Sequence, residues 1–409
     1  MLYKEQQVFA SDGRSNYRIP SLIVTNKGTL LAFCNDRKGT LADHAATTTL
    51  VFARKGLGES WSEVSELAGF SGWAFSIGSA VYDEECEKAI LISRRTIVTK
   101  SEFESKDPSA EKEARQKEKE CFEKFGICRG AFLLVSTDDG KSFVEEEMNL
   151  QPFEGMHWDG SHPTVPAFTH GSAHGIQLRH GKHKGRLLCP SRTRTGDYTD
   201  WDGLRQCVHN NAVYSDDHGK TWRTADCVQV ATGEGTLIER ADGSILYNSR
   251  AYLQDGKRYL ATSFDGGATY SDFRTDGFLR EEKNFGCNAS FIRVELEDIK
   301  DTSILPEGAR DVTVFCNPRS DLRENLTACV SFDSGDTWQI TRQIFKGPSS
   351  YSSLVFNPVD QHFYLMYEKG DPNETDWNIA PVVKGICIAE FDLEWLLGQD
   401  ASQEPLTTL

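Results

Sequence analysis

Short apolar runs separated by polar, turn-forming segments recur along the whole chain. Runs of this kind, bounded by Gly, Asp, Asn and Ser, predict β-strands rather than helices. We predict six structural units, each containing a pair of inner strands. The first strands of the pairs are YRIPSLIV, GSAVYD, HPTVPAF (or HGIQL), GTLIE, NASFIRV and SSLVF. The second strands are TLLAFCN, AILISRR, RLLCPSR, SILYNSR, VTVFCN and FYLMYE.

One polar octet recurs directly after apolar runs of this kind. Its copies are STDDGKSF at 136–143, SDDHGKTW at 215–222, SFDGGATY at 263–270 and SFDSGDTW at 331–338, with a degraded copy, RKGLGESW, at 54–61. In the four full copies the Asp can accept backbone N–H bonds, Gly permits a positive φ, and the final aromatic residue can anchor the hairpin against its own sheet. We therefore interpret the octets as structural, strand-terminating turns.

Repetition at this scale, with several short strands in each unit, is typical of a propeller built from four-stranded blades. The expected fold is all-β, a six-bladed β-propeller in which residues 1–409 form a single domain. The last unit has no octet and ends in GICIAEFDLEWLL. We therefore expect residues 2–10 to supply its outer strand and to close the ring.

Residues 101–126 interrupt the strand pattern and predict a helical insertion. Asp107 before Pro108 suits the start of a helix, and Gly126 suits its end. Opposite charges at i,i+4, such as Glu111 and Arg115, favour a solvated helix. The insertion could cover the site, form a dimer contact, or be a plain solvated excursion.

Composition narrows the class of protein. The 45 Lys and Arg against 61 Asp and Glu give a net charge of −16, which argues against nucleic acid or an acidic membrane surface as a partner. No apolar run approaches the roughly 20 residues of a membrane span. The N-terminus MLYKEQQVFASDG carries no secretory signal, so we expect a cytoplasmic protein, or a secreted or periplasmic one if a leader was trimmed.

The 11 cysteines show no CxxC pairing, and we expect reduced thiols. Several lie in apolar runs where a thiol packs as a small hydrophobic group. They are Cys34, Cys189, Cys316 and Cys387.

Charged residues gather where first strands start and second strands end, which in a propeller is the face opposite the octets. They are Arg18, Arg37, Asp43, Glu234, Arg250, Arg319, Arg323 and Glu368, and Tyr351 joins them. A single arginine at a strand end is usually solvated or paired with backbone. Several on one rim suit bidentate capture of a carboxylate, because the guanidinium is always charged and fork-shaped.

These motifs resemble the sialidase (neuraminidase) superfamily, and in particular bacterial-type exo-α-sialidases of glycoside hydrolase family 33. The octets resemble its Asp boxes, YRIP its R-I-P motif, GEGTLIERADGSILYNSR its E-x(15)-R segment, and LRENLT the segment around its third arginine. The resemblance extends from Tyr17 to Glu368. It implies a single sialidase-type catalytic propeller that releases terminal sialic acid, N-acetylneuraminic acid or a related nonulosonic acid, with retention of configuration.

By this resemblance, Arg18, Arg250 and Arg323 would grip the substrate carboxylate, with Arg319 as a competitor for the third position. Arg37 would lie near the O4 side of the sugar. Glu368 would orient Arg18.

The resemblance also implies three catalytic residues, with Tyr351 as nucleophile, Glu234 as its base and Asp43 as general acid/base. Sialic acid carries its carboxylate on the anomeric carbon, so a neutral phenol avoids the repulsion that a carboxylate nucleophile would meet. Because a phenol has a pKa of about 10, it needs a neighbouring carboxylate to take its proton. Asp43 needs a raised pKa to donate a proton to the leaving oxygen.

We expect a sialylated glycan as the partner and no metal or other cofactor. HGKT and DGKS lack the upstream glycine of a phosphate loop, and the octets fail the calcium-loop pattern. The alternative function is a non-catalytic Asp-box propeller that binds glycans or proteins, although such a module has little reason to keep Asp43, Glu234 and Tyr351 together. Linkage preference, the choice of sialic acid and oligomeric state stay open. Possible walls of the sugar pocket are Trp73, Trp158, Trp201 and Phe103.

Overall fold

A computed structural model of the protein describes residues 1–41, 47–97, 116, 119–120, 123, 130–153, 174–194, 208–371, 373, 383–398 and 402–403. The regular secondary structure of these residues is almost entirely β-strand. The strands are β1 (Tyr3–Ala10), β2 (Ser15–Val24), β3 (Leu30–Lys38), β4 (Thr48–Lys55), β5 (Ser65–Ala68), β6 (Trp73–Asp83), β7 (Lys88–Ile97), β8 (Gly130–Ser136), β9 (Val144–Glu147), β10 (Leu150–Gln151), β11 (Ile176–Gln177), β12 (Leu187–Arg194), β13 (Val208–Ser215), β14 (Trp222–Thr224), β15 (Gln229–Val230), β16 (Thr232–Glu239), β17 (Ile245–Ala251), β18 (Lys257–Ser263), β19 (Ser271–Arg280), β20 (Ser290–Glu295), β21 (Asp311–Pro318), β22 (Glu324–Ser331), β23 (Ile340–Asn357), β24 (His362–Gly370), β25 (Val383–Asp392) and β26 (Ser402–Gln403). Short helical turns lie at Gly181–His183, Leu296–Asp298 and Leu393–Leu397.

The strands pair into four sheets of eight, six, four and eight strands. In order, they consist of β2 to β9, of β10 to β15, of β16 to β19, and of β20 to β26 together with β1. Each predicted first and second strand within the described residues coincides with an observed strand, and HPTVPAF lies outside them. The all-β prediction is confirmed.

The first strand of the chain pairs with a strand near its C-terminus. β1 runs antiparallel to β25, with Tyr3 opposite Phe391 and Ala10 opposite Gly385. The predicted pairing of residues 2–10 with the segment GICIAEFD is therefore confirmed. The N-terminal and C-terminal parts of the chain thus share one sheet.

The four octets share one hydrogen-bond pattern. In the octet at 331–338, Ser331 Oγ donates to Asp333 Oδ1 (2.6 Å), the Gly335 N–H donates to Ser331 Oγ (3.0 Å), and the Thr337 N–H donates to Asp333 Oδ1 (2.8 Å). The equivalent bonds form in the other three octets. The fifth residue of each is a glycine with positive φ. The predicted turn chemistry is confirmed.

The terminal aromatic residues of the octets pack against their own sheets, as expected: Tyr270 lies 5.4 Å from Tyr247 on β17, and Trp338 lies 6.1 Å from Phe315 on β21. The ring of Phe143, which follows β8, lies edge-on to Phe33 on β3 and to Phe52 on β4, with centroids 5.7 and 5.2 Å away. Trp222 belongs to a buried cluster that includes Ile90 on β7 of the neighbouring sheet. The hydrophobic core therefore lies between successive strand groups, and the octets fasten one group to the next.

The predicted helical insertion is described at four positions, all of them helical: Gln116, Lys119, Glu120 and Glu123. The Gln116 side-chain amide donates to Glu120 at 2.8 Å, which is an i,i+4 contact of the predicted kind. The rest of residues 101–126 lies outside the described residues.

Cysteines within the described residues carry free thiols. Those predicted to pack as small hydrophobic groups are indeed buried: Cys34, Cys189, Cys316 and Cys387. Among the residues that the structure describes, no helix combines the length and apolar composition of a membrane span.

Candidate active site

Tyr351 lies where three of the predicted arginines meet. The guanidinium carbons of Arg18, Arg250 and Arg323 lie 5.7, 5.8 and 5.7 Å from the centroid of its ring. Arg18 comes from β2, Arg250 from the end of β17, and Arg323 from the residue before β22. All four side chains are buried. The structure therefore brings together residues that the sequence places far apart.

The same irregularity in several inner strands aims these side chains. The strand register shifts between Arg18 and Ser21 in β2, between Thr232 and Gly235 in β16, and between Ser349 and Ser352 in β23. A bulge lets a strand re-aim a side chain without ending the sheet. The shifts fall at or beside Arg18, Glu234 and Tyr351, and so they position the site.

The bulge in β2 places Ile19 in a strained conformation. Its φ is 62°, which a β-branched residue rarely adopts. Such strain persists only where the surroundings fix it. Ile19 is buried, and its N–H donates to Glu368 Oε1 at 2.8 Å.

Glu368 on β24 holds Arg18 in place. Arg18 Nε donates to Glu368 Oε1 at 2.7 Å, and the Tyr351 N–H approaches Oε2 at 3.3 Å. The carboxylate is fully buried, so its charge requires these partners. These contacts are the ones that the predicted role of Glu368, to orient Arg18, requires. The same carboxylate also contacts the backbone of Tyr351, the candidate nucleophile.

Tyr351, Glu234 and Arg250 form a closed group of polar atoms. Tyr351 Oη donates to Glu234 Oε1 at 2.7 Å, while Arg250 Nη1 contacts both Tyr351 Oη (2.7 Å) and the other carboxylate oxygen of Glu234. Burial raises the pKa of Tyr351 well above its usual value; Glu234 raises it too, and Arg250 and Arg323 oppose the rise. The phenol is therefore neutral at rest, with its proton directed at Glu234.

Glu234 and Tyr351 also keep Arg250 positively charged. Burial lowers the pKa of its guanidinium, but the nearby Glu234 carboxylate and Tyr351 raise it, and the net pKa lies well above the usual value. Arg250 thus stays a cation although it is almost completely removed from solvent.

Sequence reasoning missed the loop at 281–287, which joins β19 to β20. Arg250 Nε donates to the Phe285 carbonyl at 2.8 Å, and Arg323 Nη2 donates to the Gly286 carbonyl at 2.9 Å. Gly286 has a φ of 66°. Backbone carbonyls carry no side-chain signature, and the only signal was a glycine in EEKNFGC.

Tyr252 was also missed. Its ring lies 5.2 Å from the Arg250 guanidinium carbon, on which Tyr351 also packs, and Arg192 Nη1 donates to its hydroxyl at 3.0 Å. Arg192 ends the predicted second strand RLLCPSR, just as Arg250 ends SILYNSR. A search for charged residues at the end of every predicted second strand would therefore have found Arg192, although not Tyr252.

The two candidates for the third arginine differ in position. Arg323 Nη1 donates to Ser350 Oγ at 3.1 Å, next to Tyr351. Arg319 stacks on Phe278 at 4.4 Å and donates to its carbonyl at 2.8 Å. The geometry therefore favours Arg323.

Arg37 is buried at the end of β3, where its Nη1 donates to the Leu41 carbonyl at 2.7 Å. Asp43, the predicted general acid/base, lies outside the described residues, as do three of the possible pocket walls: Trp158, Trp201 and Phe103. Trp73 is buried in a core cluster that also contains Phe75 and Tyr351, and its role as a pocket wall stays a prediction.

The arrangement suits capture of an anion beside a nucleophile. Three guanidinium groups surround one phenol, and each of them is held by a buried carboxylate: Glu368, Glu234 or Glu282. Guanidinium groups bind carboxylates through paired hydrogen bonds.

The BNR repeat-like domain family matches residues 116–362. A sialidase from Micromonospora viridifaciens is 29% identical over 408 residues, which cover 97% of this chain and 55% of that protein. A sialidase from Bacteroides fragilis is 23% identical over 345 residues, covering 81% of this chain and 56% of that protein. The chain thus spans a little over half the length of these curated relatives.

Solved structures share the fold. A leech intramolecular trans-sialidase superposes with a TM-score of 0.71 at 16% identity, covering 97% of this chain and 71% of that one. A Hadza microbial sialidase gives 0.70 at 21% identity, covering 96% and 69%. An intramolecular trans-sialidase from Ruminococcus gnavus gives 0.69 at 17% identity, covering 96% and 98%.

Proposed function

The chain belongs to the BNR repeat-like family of the sialidase superfamily, and on this premise we propose that it is a retaining exo-α-sialidase. It hydrolyses terminal sialic acid, N-acetylneuraminic acid or a related nonulosonic acid, from glycoconjugates. The observation that carries the proposal is the contact of Tyr351 with Glu234 inside a ring of three arginines.

A six-bladed propeller that forms one catalytic domain over residues 1–409 is part of this proposal. Two of the four sheets contain eight strands, enough for two four-stranded blades each, and β23 is long enough to serve two blades. The likeness to solved sialidases supports the same arrangement.

Substrate binding begins with the sugar carboxylate, which Arg18, Arg250 and Arg323 grip. Glu368 keeps Arg18 aimed at this position, and Arg37 faces the O4 side of the sugar. Because the arginines are buried and held by carbonyl and carboxylate partners, little side-chain entropy is lost when the anion arrives.

In the first step, Tyr351 Oη attacks the anomeric carbon while Glu234 takes the phenol proton. Asp43 gives its proton to the leaving glycosidic oxygen, and a covalent Tyr–sugar bond replaces the glycosidic bond. The raised pKa of Tyr351 supports this order, since the proton leaves only as the new bond forms.

In the second step, Asp43 removes a proton from water, which attacks the anomeric carbon. Glu234 returns the proton to the departing phenolate oxygen of Tyr351. Two inversions at one carbon restore the original configuration, so the product is the α-anomer.

The alternative is a propeller that binds glycans or proteins without hydrolysis. The experiment compares hydrolysis of a fluorogenic N-acetylneuraminide by the wild type, Tyr351→Phe and Tyr364→Phe. Tyr364 is the matched control, because it also donates to a carboxylate, that of Asp360 (2.8 Å), but lacks the arginine ring. We expect Tyr351→Phe alone to lose turnover while still binding an unsaturated sialic acid analogue. A wild type that binds the analogue and never hydrolyses the substrate supports the alternative.

A further inference from the structure

A second group of reactive side chains lies at the octet of residues 215–222, outside the proposed catalytic site. Within the described part of the chain, Asp83, Cys86 and His218 each bring one potential ligand atom to within 4.8 Å of the others. We propose that these residues bind a zinc ion, or another borderline-soft divalent transition metal, with a water as fourth ligand. The proposal does not depend on the sialidase function.

The buried Asp83 is pre-oriented for this role. Its Oδ1 accepts from the Cys86 N–H and from the Gln177 side chain, both at 3.1 Å. Its Oδ2 faces His218 Nδ1 at 2.9 Å. Asp83 Oδ1 is thus held by neutral donors, and Asp83 Oδ2 points at His218.

His218 is fixed by the octet that carries it. It occupies the fourth position of the octet with a φ of 61°, and Gly219 N–H donates to Ser215 Oγ at 2.8 Å. The His218 carbonyl accepts from the Lys88 ammonium at the start of β7. The turn between β6 and β7, which carries Cys86, is therefore fastened to the turn that carries His218.

Glu85 lies beside His218, outside the set of three proposed ligands. His218 Nε2 lies 4.0 Å from Glu85 Oε2. A metal-binding histidine usually directs its second ring nitrogen to a carboxylate, which fixes the tautomer and raises the basicity of the ligand. His218 would then ligate through Nδ1 and donate through Nε2.

The donor set selects the kind of ion. One sulfur, one imidazole nitrogen and one carboxylate oxygen suit tetrahedral zinc, whereas calcium and magnesium prefer oxygen ligands alone. Tetrahedral zinc needs ligand atoms about 3.5 Å apart, a spacing that the cluster reaches by small shifts. Cys86 is exposed and the His218 side chain is 37% exposed, so the ion can enter from solvent. Binding releases the thiol proton of Cys86.

Cobalt provides the test, because a thiolate ligand gives Co²⁺ a near-ultraviolet charge-transfer band. The full chain, stripped of metal, is titrated with Co²⁺ and then with Zn²⁺. We expect one Co²⁺ per chain, the thiolate band, and its loss when Zn²⁺ displaces cobalt. Cys86→Ser should abolish the band. Glu85→Gln should weaken zinc binding by about tenfold through the outer carboxylate.

The matched pair of histidine variants is His218→Ser and His362→Ser. Serine is the residue that the octet at 331–338 carries in the same position, at Ser334 with a φ of 62°, so His218→Ser should fold. His362 also faces a carboxylate, that of Glu390 (3.0 Å), and serves as control. Binding that falls at least tenfold in His218→Ser alone supports the site. A wild type without the band, or a band that persists in Cys86→Ser, overturns the proposal.

Discussion

Gly286→Ala tests whether the loop at 281–287 positions the arginines. An added Cβ would lie 2.8 Å from both the Ala251 carbonyl oxygen and Arg250 Cγ. Carbon atoms in contact prefer about 3.5–4.0 Å, so Arg250 must move by roughly 1 Å. The φ of 66° also adds about 1–2 kcal/mol of strain for a non-glycine residue.

A displacement of this size near the reacting groups lowers kcat/KM by about 100-fold. The measurement is steady-state hydrolysis of a fluorogenic N-acetylneuraminide, with thermal unfolding recorded in parallel. Gly308→Ala is the matched control, because Gly308 has a φ of 83° and nothing lies within 4 Å of an added Cβ. It should lose only the stability that the positive φ costs, and it should keep its activity.

Two outcomes refute this reasoning. A folded Gly286→Ala protein with wild-type kcat/KM means that the loop does not position Arg250. An equal loss of activity in Gly308→Ala means that backbone strain alone is responsible.

Two further predictions follow from the arginines and the octets. Arg323→Ala should raise the Kd of an unsaturated sialic acid analogue, measured by calorimetry, by about 10- to 100-fold, because charged hydrogen bonds are lost. Arg319→Ala should leave this Kd unchanged. Equal losses of affinity in the two variants contradict the assignment of Arg323 as the third arginine. Hydrogen bonds from Ser142 lower the pKa of Asp138 from 3.8 to about 2. Burial raises the pKa of Asp333, but hydrogen bonds lower it, and the net pKa is also lowered. A carboxyl whose pKa is lower in the folded state stabilises the fold at pH values above its unfolded-state pKa. The unfolding temperature should therefore fall as pH drops from about 4 to about 2, and Asp333→Asn should make this fall smaller. An equally steep fall in Asp333→Asn refutes the prediction.

The sequence predicted the strands because each apolar run ends at a turn whose residues have a local physical role. It also predicted that Arg18, Arg250 and Glu368 meet, since all three lie at strand ends on one expected face. The contact of Phe143 with Phe33 and Phe52 was not predictable, because only the assembled fold brings β3 and β4 near this octet. The carbonyls of the 281–287 loop were missed since any residue can supply a carbonyl. Asp43 stays a prediction.

The pairing of Arg18 with Glu368 joins residues 350 positions apart. During synthesis on the ribosome, Arg18 therefore has no access to Glu368 until nearly the whole polypeptide has emerged. A chain that ends before residue 368 lacks both a complete β24 and the carboxylate that Arg18 needs when it is buried, so the site around Tyr351 cannot form in stages. Enzymatic competence should consequently arise as a single late event of biosynthesis rather than grow with chain length.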